Sequence, residues 1–301
     1  MLIEFRNYDE LLLDDQIDLI KDVIKDWNWV IWYPNKASLT ESYSRVGFSP
    51  ETRHYAFDGD KMVGFLSSTI EREIEGVSFG SLHIPFIRKG YEHIEEELVK
   101  KTIETLKSKG AQAIRSFAMP GWGNTIQILE KHGFKEKKLL SYATMFSVDL
   151  LVKDDYKKSE NIEELDLPRD KQKLIKLVVK ESKQPKEVVE RYLNNLIWDD
   201  AIVACTIVYK RGDASFGYLA KGLRYLDIPG RIFLSFVPVV KKEAMPLFKE
   251  IIEEGFGFLA QKAKEAGYNT LWYEARDIEN VELYEELGLK MEPTFGFTLR
   301  I

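Results

Sequence analysis

The sequence predicts an α/β (α+β) protein in which one domain occurs twice. The segment 107–136 is repeated at 264–292, with Gly110 matching Gly267 and Gly133 matching Gly288. The spacing between the matching glycines is about half of the 301-residue chain, so the repeat indicates duplicated domains and not a solenoid. Within each copy, strand-like and helix-like apolar patterns alternate. This alternation favours a sheet flanked by helices.

The first copy is predicted to begin with a strand and a helix, and we expect Asp14 and Asp15 to cap that helix. A hairpin follows, because Gly59-Asp60 favours the positive φ angles of a tight turn. A long helix is predicted to end at Gly110, since glycine is the usual residue after a helix. The predicted strands are 2–8, 54–58, 62–69, 77–87, 111–118 and 140–148, and the later helices are 94–109 and 126–132.

The second copy repeats this order after a highly charged stretch. The predicted helices are 171–183, 185–197, 246–266 and 278–287, and the strands are 201–210, 216–221, 231–240, 270–275 and 294–301. Charged, exposed segments are typical of domain boundaries. We therefore expect a first domain at 1–150, a linker with the first strand of the second copy at 151–167, and a second domain at 168–301.

Composition excludes several classes of function. The formal net charge of −6 disfavours nucleic-acid binding, and the uncharged apolar stretches are shorter than the roughly 18 residues of a membrane helix. The first residues lack a signal-peptide pattern, so we expect a cytoplasmic protein that binds no membrane. The sequence leaves the oligomeric state open between a monomer and a homodimer. Four histidines and one cysteine show no metal-ligand spacing, and no metal is expected. The abundance of Lys and Glu resembles thermophile proteins.

Three short segments carry a resemblance to a known family. They are IPFIRKG at 84–90, ILEKHGFKE at 128–136 and LYEELGLK at 283–290. Together with the order of elements, they resemble the GCN5-related N-acetyltransferase (GNAT) superfamily over most of each half. The resemblance implies two tandem GNAT-like domains, each a mixed, mostly antiparallel twisted sheet flanked by helices.

The resemblance also implies a reaction. Members of the superfamily transfer an acyl group from acetyl-CoA, or another acyl-CoA co-substrate, to an amine by direct attack on the thioester. The acceptor would be a small-molecule or peptide amine. In the family, backbone N–H groups in a glycine-rich turn before a helix hold the CoA pyrophosphate. The residues that match this region are Ile84, Phe86, Arg88, Lys89, Gly90 and Tyr91.

Both copies depart from the family's pyrophosphate pattern, Arg/Gln-x-x-Gly-x-Gly/Ala. In the first copy, either alignment loses at least one small residue, and Glu92 adds a negative charge beside the phosphates. The second copy has no glycine in 239–245. The remaining glycine of the first copy predicts that CoA, if it binds, enters there.

Two residues are candidates for proton transfer. Tyr284 matches the tyrosine that in the family often protonates the departing thiolate, whereas the first copy has Leu129 there. His83 lies just before Ile84-Pro85, where a base could face the thioester, and its ordinary pKa is near neutral. The alternative for His83 is a histidine satisfied within the sheet.

Aromatic residues after the first helix are candidates for acceptor binding. Trp29, Trp32 and Tyr33 lie in a loop that in the family helps to form the acceptor pocket, and aromatic faces there could hold a cation or an apolar group. They could equally cap the core or join the two copies.

Three hypotheses therefore stay open, because neither copy carries a complete set of family residues. The first is a tandem GNAT-like N-acetyltransferase. The second is a non-catalytic GNAT-fold binding or structural protein that has lost acetyl-CoA chemistry. In the third, the two copies have different roles, and one binds the co-substrate while the other covers the acceptor.

Overall fold

The structure is a computed structural model, and contacts within it divide the chain into two compact units. Unit 1 comprises Met1–Leu140 and Glu292–Ile301, and unit 2 comprises Ser141–Met291. The structure describes residues 3–28, 30, 34–44, 48–71, 73–152, 157, 159–164, 171–172, 175–176, 178–180, 183, 185–191, 203–211, 214–223, 231–239, 246–276 and 278–301. Across these ranges, no helix has the length and apolar character needed to cross a bilayer.

Unit 1 is a mixed sheet with helices packed on it. Its strands are β1 (Ile3–Arg6), β2 (Arg53–Asp58), β3 (Lys61–Ile70), β4 (Phe79–Leu82), β5 (Phe86–Ile87), β6 (Ala113–Ala118) and β13 (Glu292–Arg300), and its helices are α1 (Leu13–Ile24), α2 (Lys36–Ser44), α3 (Glu95–Ser108) and α4 (Thr125–Lys131). The strand order is β1-β2-β3-β4-β6-β13, with β5 also paired to β3. Among the described strands of unit 1, only β4 and β6 pair in parallel, because α3 connects them as a crossover.

The helices of unit 1 form where apolar residues recur at helical spacing. Helix α1 buries Leu19, Ile20 and Ile24 in the core against β2 and β3, and α3 buries Leu98 and Leu106 on the opposite part of the sheet. The predicted cap of α1 is wrong. Leu12 is the N-cap, and Asp14 and Asp15 lie in the first turn, where carboxylates still interact favourably with the helix dipole.

The strand predicted at 77–87 is interrupted. It forms β4 and β5, separated by His83, Ile84 and Pro85, and Pro85 has no N–H to donate to a neighbouring strand. The parallel pairing of β4 with β6 ends at Ser81 and Arg115. Beyond that point the chain that leaves β4 continues as β5 and pairs with β3, while β6 continues along β13 to Ala118. A wedge-shaped gap therefore opens between the two strands.

Unit 2 has the same order of strand directions. Its strands are β8 (Ile162–Glu164), β9 (Val203–Arg211), β10 (Ala214–Leu223), β11 (Arg231–Val239), β12 (Thr270–Ala275) and residues 141–147 of β7 (Glu136–Ser147), and its helices include α5 (Phe248–Glu265) and α6 (Val281–Glu286). The order is β8-β9-β10-β11-β12-β7, and within the described strands of this unit only β11 and β12 pair in parallel. The predicted fold class, a mostly antiparallel mixed sheet with helices, is confirmed.

The compact units do not coincide with the sequence halves. Strand β13, from the end of the chain, completes the sheet of unit 1 by pairing with β6. In unit 2, residues 142–147 of β7 pair with β12. The division at 1–150 and 168–301 stays a prediction about the duplicated segments, and the described part of 151–167 contains β8.

Candidate functional site

A cleft of about 650 Å³ lies where β4 and β6 separate in unit 1. We call it the His83 cleft. It is lined by residues from the diverging strands, including Ser81, His83, Arg115, Ser116 and Phe117, together with Glu71, residues 136–138, Leu140 and 296–298. The cleft therefore sits at the point where the strand pairing fails.

His83 is held by its backbone and not by its side chain. Its N–H donates to the carbonyl of Ser67 at 3.0 Å, which keeps this part of the chain on β3. The imidazole is open to water in the cleft and has no hydrogen-bond partner among the described residues. The protein around it still removes part of its hydration, which lowers the pKa of His83 to about 4, with Arg53 acting in the same direction and Glu71 against it. The imidazole is therefore neutral at physiological pH.

Two further polar groups of the cleft have unused hydrogen-bonding capacity. Ser116 is 7% exposed, and its hydroxyl has no partner within the described part of the chain. The guanidinium of Arg115 lies 3.6 Å from the centroid of the Phe79 ring, and its Nη1 is 4.0 Å from Oε2 of Glu71. Buried polar groups are normally satisfied. An orphaned hydroxyl and a loosely paired cation beside a cleft are therefore features of a ligand site.

A second cleft, of about 350 Å³, lies beside Arg88, and we call it the Arg88 cleft. The guanidinium of Arg88 already binds other residues of unit 1. Its Nη2 contacts Asp18 at 2.6 Å, its Nη1 donates to Asp22, and its Nε donates to the carbonyl of Met62 at 3.0 Å. Lys25 and Arg88 lower the pKa of Asp22. The positive charge predicted for a pyrophosphate is thus matched by two carboxylates of α1.

The turn after β5 is occupied by a carboxylate as well. The N–H of Gly90 donates to Oε1 of Glu92 at 2.9 Å, and this bond lowers the pKa of Glu92. The first turn of α3 adds Glu95, Glu96 and Glu97. Tyr91 points to the β2–β3 hairpin, where its hydroxyl donates to Asp58 at 2.9 Å. Negative charge therefore surrounds this helix N-terminus, where the sequence resemblance predicts a pyrophosphate.

A row of four aromatic rings connects the diverging strands. Phe86 of β5 stacks on Trp27 at 5.8 Å, Trp27 stacks on Trp122 at 6.1 Å, and Trp122 meets Phe117 of β6 at 5.7 Å between centroids. The N–H of Asn28 donates to the carbonyl of Gly121 at 3.2 Å and holds the two loops together. Trp27 lines the Arg88 cleft and Phe117 lines the His83 cleft. The row therefore stands between the two clefts.

The other predicted site residues lie apart from the His83 cleft. Lys89 is exposed in the Arg88 cleft, and Ile84 packs against the core beneath α1. Tyr284 is fully buried in unit 2, where its hydroxyl lies 3.0 Å from that of Tyr273. The predicted acceptor residues Trp29, Trp32 and Tyr33, and the second turn at 240–245, lie outside the described residues.

Several residues of these clefts escaped the sequence analysis. Asp18 and Asp22 are spaced four residues apart on α1, a pattern that only indicates one charged helix face. Arg115 and Ser116 follow each other in a strand, and nothing in their spacing shows that the neighbouring strand diverges there. An Arg in an otherwise apolar strand was the one available signal.

Comparisons with solved structures identify the fold. A tandem GNAT protein from the clavulanic acid biosynthesis pathway matches with a TM-score of 0.69 and 12% identity, over 99% of this chain and 98% of that chain. A GCN5-related N-acetyltransferase from Sphaerobacter thermophilus matches with a TM-score of 0.67 and 10% identity, over 99% and 95%. Saccharomyces cerevisiae N-myristoyltransferase with bound myristoyl-CoA matches with a TM-score of 0.56 and 13% identity, over 99% and 79%. No family model matches, and no curated protein sequence matches significantly.

The chain therefore has the GNAT fold, as the sequence resemblance predicts. The full-length match to a tandem protein agrees with the duplication. At these identities the likeness establishes the fold and not the activity.

An acyl-CoA, which the fold implies, fits one part of unit 1 and not another. Ser116 lines the His83 cleft, and its hydroxyl is buried and has no partner in the described part of the chain, so it is a donor that a polar chain in the gap would satisfy. The Arg88 turn does not fit a pyrophosphate, because Glu92 occupies the N–H of Gly90 and two aspartates occupy Arg88.

Proposed function

We propose that the chain is an acyl-CoA-dependent N-acyltransferase, transferring an acetyl or another acyl group to a small-molecule or peptide amine in the His83 cleft. The observation that carries the proposal is the neutral imidazole of His83 at the point where β4 and β6 separate. In this fold, a splayed pair of strands positions the reacting groups. The acyl group itself would come from a thioester co-substrate.

The chemistry that this chain would supply is removal of a proton. An amine attacks only when its lone pair is free, so the ammonium form must lose a proton. A neutral imidazole without a hydrogen-bond partner in the described residues has a lone pair to accept it, and with a pKa of about 4 it accepts the proton best from the nitrogen that attack on the thioester has made more acidic. The exposed side chains of Phe117 and Leu140 line the same cleft. An apolar wall destabilises the charged form of an amine and so eases its deprotonation.

A second candidate function is favoured by the Arg88 cleft. The carboxylates on Arg88 and Gly90, and the aromatic row between the clefts, support a GNAT-fold binding protein that has lost acetyl-CoA chemistry. Burial of Tyr284 favours the same alternative, because a buried hydroxyl paired with Tyr273 is poorly placed to meet a thiolate. In that case the His83 cleft would bind its ligand without reaction.

Turnover separates the two candidates. The full-length protein is incubated with acetyl-CoA and a panel of amines, and the release of free thiol is followed. The proposal predicts thiol release with at least one amine, and a fall of about 100-fold or more in His83→Gln, the usual effect of removing a general base. His54→Gln is the matched control, because His54 is also a neutral histidine in unit 1 but does not line the His83 cleft. No turnover, together with a melting-temperature shift by one of the amines, would support the binding protein.

A further inference from the structure

The positively charged residues around the His83 cleft differ in how closely they are paired with carboxylates. Lys137 pairs with Glu130 at 3.2 Å, and Arg300 pairs with Glu136 at 2.8 Å, so these rim charges are neutralised. Among the described residues, the one ion-pair partner of Arg115 is Glu71, at 4.0 Å. The carboxylate of Glu71 is in turn engaged by the hydroxyl of Ser81. Arg115 thus retains most of its hydrogen-bond donors for something in the cleft.

The position of Arg115 relative to His83 follows from the strand register. Arg115 is the partner of Ser81, and His83 lies two residues beyond Ser81 on the same face. With a rise of about 3.3 Å per residue and about 4.8 Å between paired strands, the Cα atoms of His83 and Arg115 are at least about 8 Å apart, because the strands separate beyond Ser81. Two side chains at this spacing can meet the two ends of one small molecule.

The unused groups specify complementary chemistry. A guanidinium binds a carboxylate with two parallel hydrogen bonds, and this geometry distinguishes a carboxylate from other neighbours. Phe117 and Leu140 are 48% and 44% exposed, which leaves an apolar surface on the wall of the same cleft.

We infer that the ligand of the His83 cleft is a small amino-carboxylate with an apolar side chain, whose carboxylate is bound by Arg115 and whose amine faces His83. The claim that this ligand accepts an acyl group rests on the proposed function. The claim that the cleft binds this ligand is independent of the proposed function.

The experiment compares leucine with 3-methylbutylamine, which is leucine without its carboxylate, by calorimetry on the full chain. Leucine is expected to bind at least about tenfold more tightly, the usual effect of one charge-assisted hydrogen-bonded pair. Arg115→Gln should remove this difference by weakening leucine alone. Ser116→Ala should leave the affinity for leucine unchanged, because Ser116 follows Arg115 in β6 and its side chain points to the opposite face of the sheet.

Arg6→Gln is the matched control. Arg6 also lies on a strand, is 39% exposed against 43% for Arg115, pairs with a glutamate and stacks on a phenylalanine. It should leave both affinities unchanged. Equal affinities of the two probes, no binding of leucine, or equal losses in Arg115→Gln would overturn the inference. Leucine binding that depends on Arg115 without any acyl transfer would sink the proposed function alone, and transfer to amines regardless of a carboxylate would sink this inference alone.

Discussion

Replacing Arg88 by alanine tests whether this residue holds unit 1 together or holds a phosphate. Arg88 is 13% exposed and makes three contacts, of which the one to Asp18 adds little because that carboxylate is 76% exposed. The bonds to Asp22 and to the carbonyl of Met62 remain, and we expect their loss to cost about 2 to 3 kcal/mol in the free energy of unfolding. For a unit of this size that is a fall of about 4 to 12 °C in melting temperature.

The affinity of Arg88→Ala for CoA should differ between the two roles of Arg88, structural or phosphate-binding. If Arg88 contacted phosphate, its loss would weaken CoA binding at least about tenfold. Because all three of its nitrogens already donate and two carboxylates face its charge, we expect the Kd for CoA, measured by calorimetry, to change less than about threefold. Lys89→Ala is the control for the change in charge, since Lys89 is exposed and should affect neither quantity strongly. An unchanged melting temperature with a tenfold weaker affinity for CoA in Arg88→Ala would refute the reasoning.

Three further predictions concern burial. Burial, with Lys101 and Arg53, lowers the pKa of His54 to about 4. Between about pH 6.5 and 4 the unfolded chain therefore binds more protons than the folded one, so stability should fall as the pH is lowered. This residue should account for a loss of about 2 to 3 kcal/mol at pH 4.5. Urea denaturation at pH 7 and pH 4.5 should show a smaller fall in His54→Gln, and an equal fall would contradict the assignment. Tyr284→Phe should lose about 1 kcal/mol of stability and keep its acyl-transfer rate; a loss of more than 100-fold in rate with an unchanged melting temperature would move the active site to unit 2. Gly80→Ala should cost about 1 to 3 kcal/mol, because the new Cβ would lie 2.9 Å from Leu106, and Leu106→Val should recover part of that loss in thermal unfolding.

Local patterns predicted the elements because local interactions determine most of them. The hairpin at Gly59, the helix ending at Gly110 and the strands of both copies follow from turn residues and apolar periodicity, which act over a few residues. The break at His83 was not predicted, because the apolar pattern continues through Pro85 into Phe86. Only the pairing with β3 shows where the strand leaves β6.

The candidate site depended more on distant residues. The sequence placed His83 near the reacting position, and the structure finds it in a cleft where β4 and β6 separate. The partners of Arg88 come from α1, which is remote in sequence and far too distant for any spacing rule. Burial of Tyr284 likewise depends on Phe256 and Tyr273, which surround it only after α5 and β12 have packed. A family motif therefore identified candidate residues without showing whether their functional groups were free.

A crystal structure of the full chain grown with CoA tests the central claim most directly, because it locates the thiol relative to His83. The account predicts the thiol in the gap between β4 and β6, with the carboxylate of Glu92 still on the N–H of Gly90 and Arg88 still paired with Asp18 and Asp22. A thiol bound anywhere else, or a phosphate on the N–H of Gly90 in place of Glu92, would contradict it.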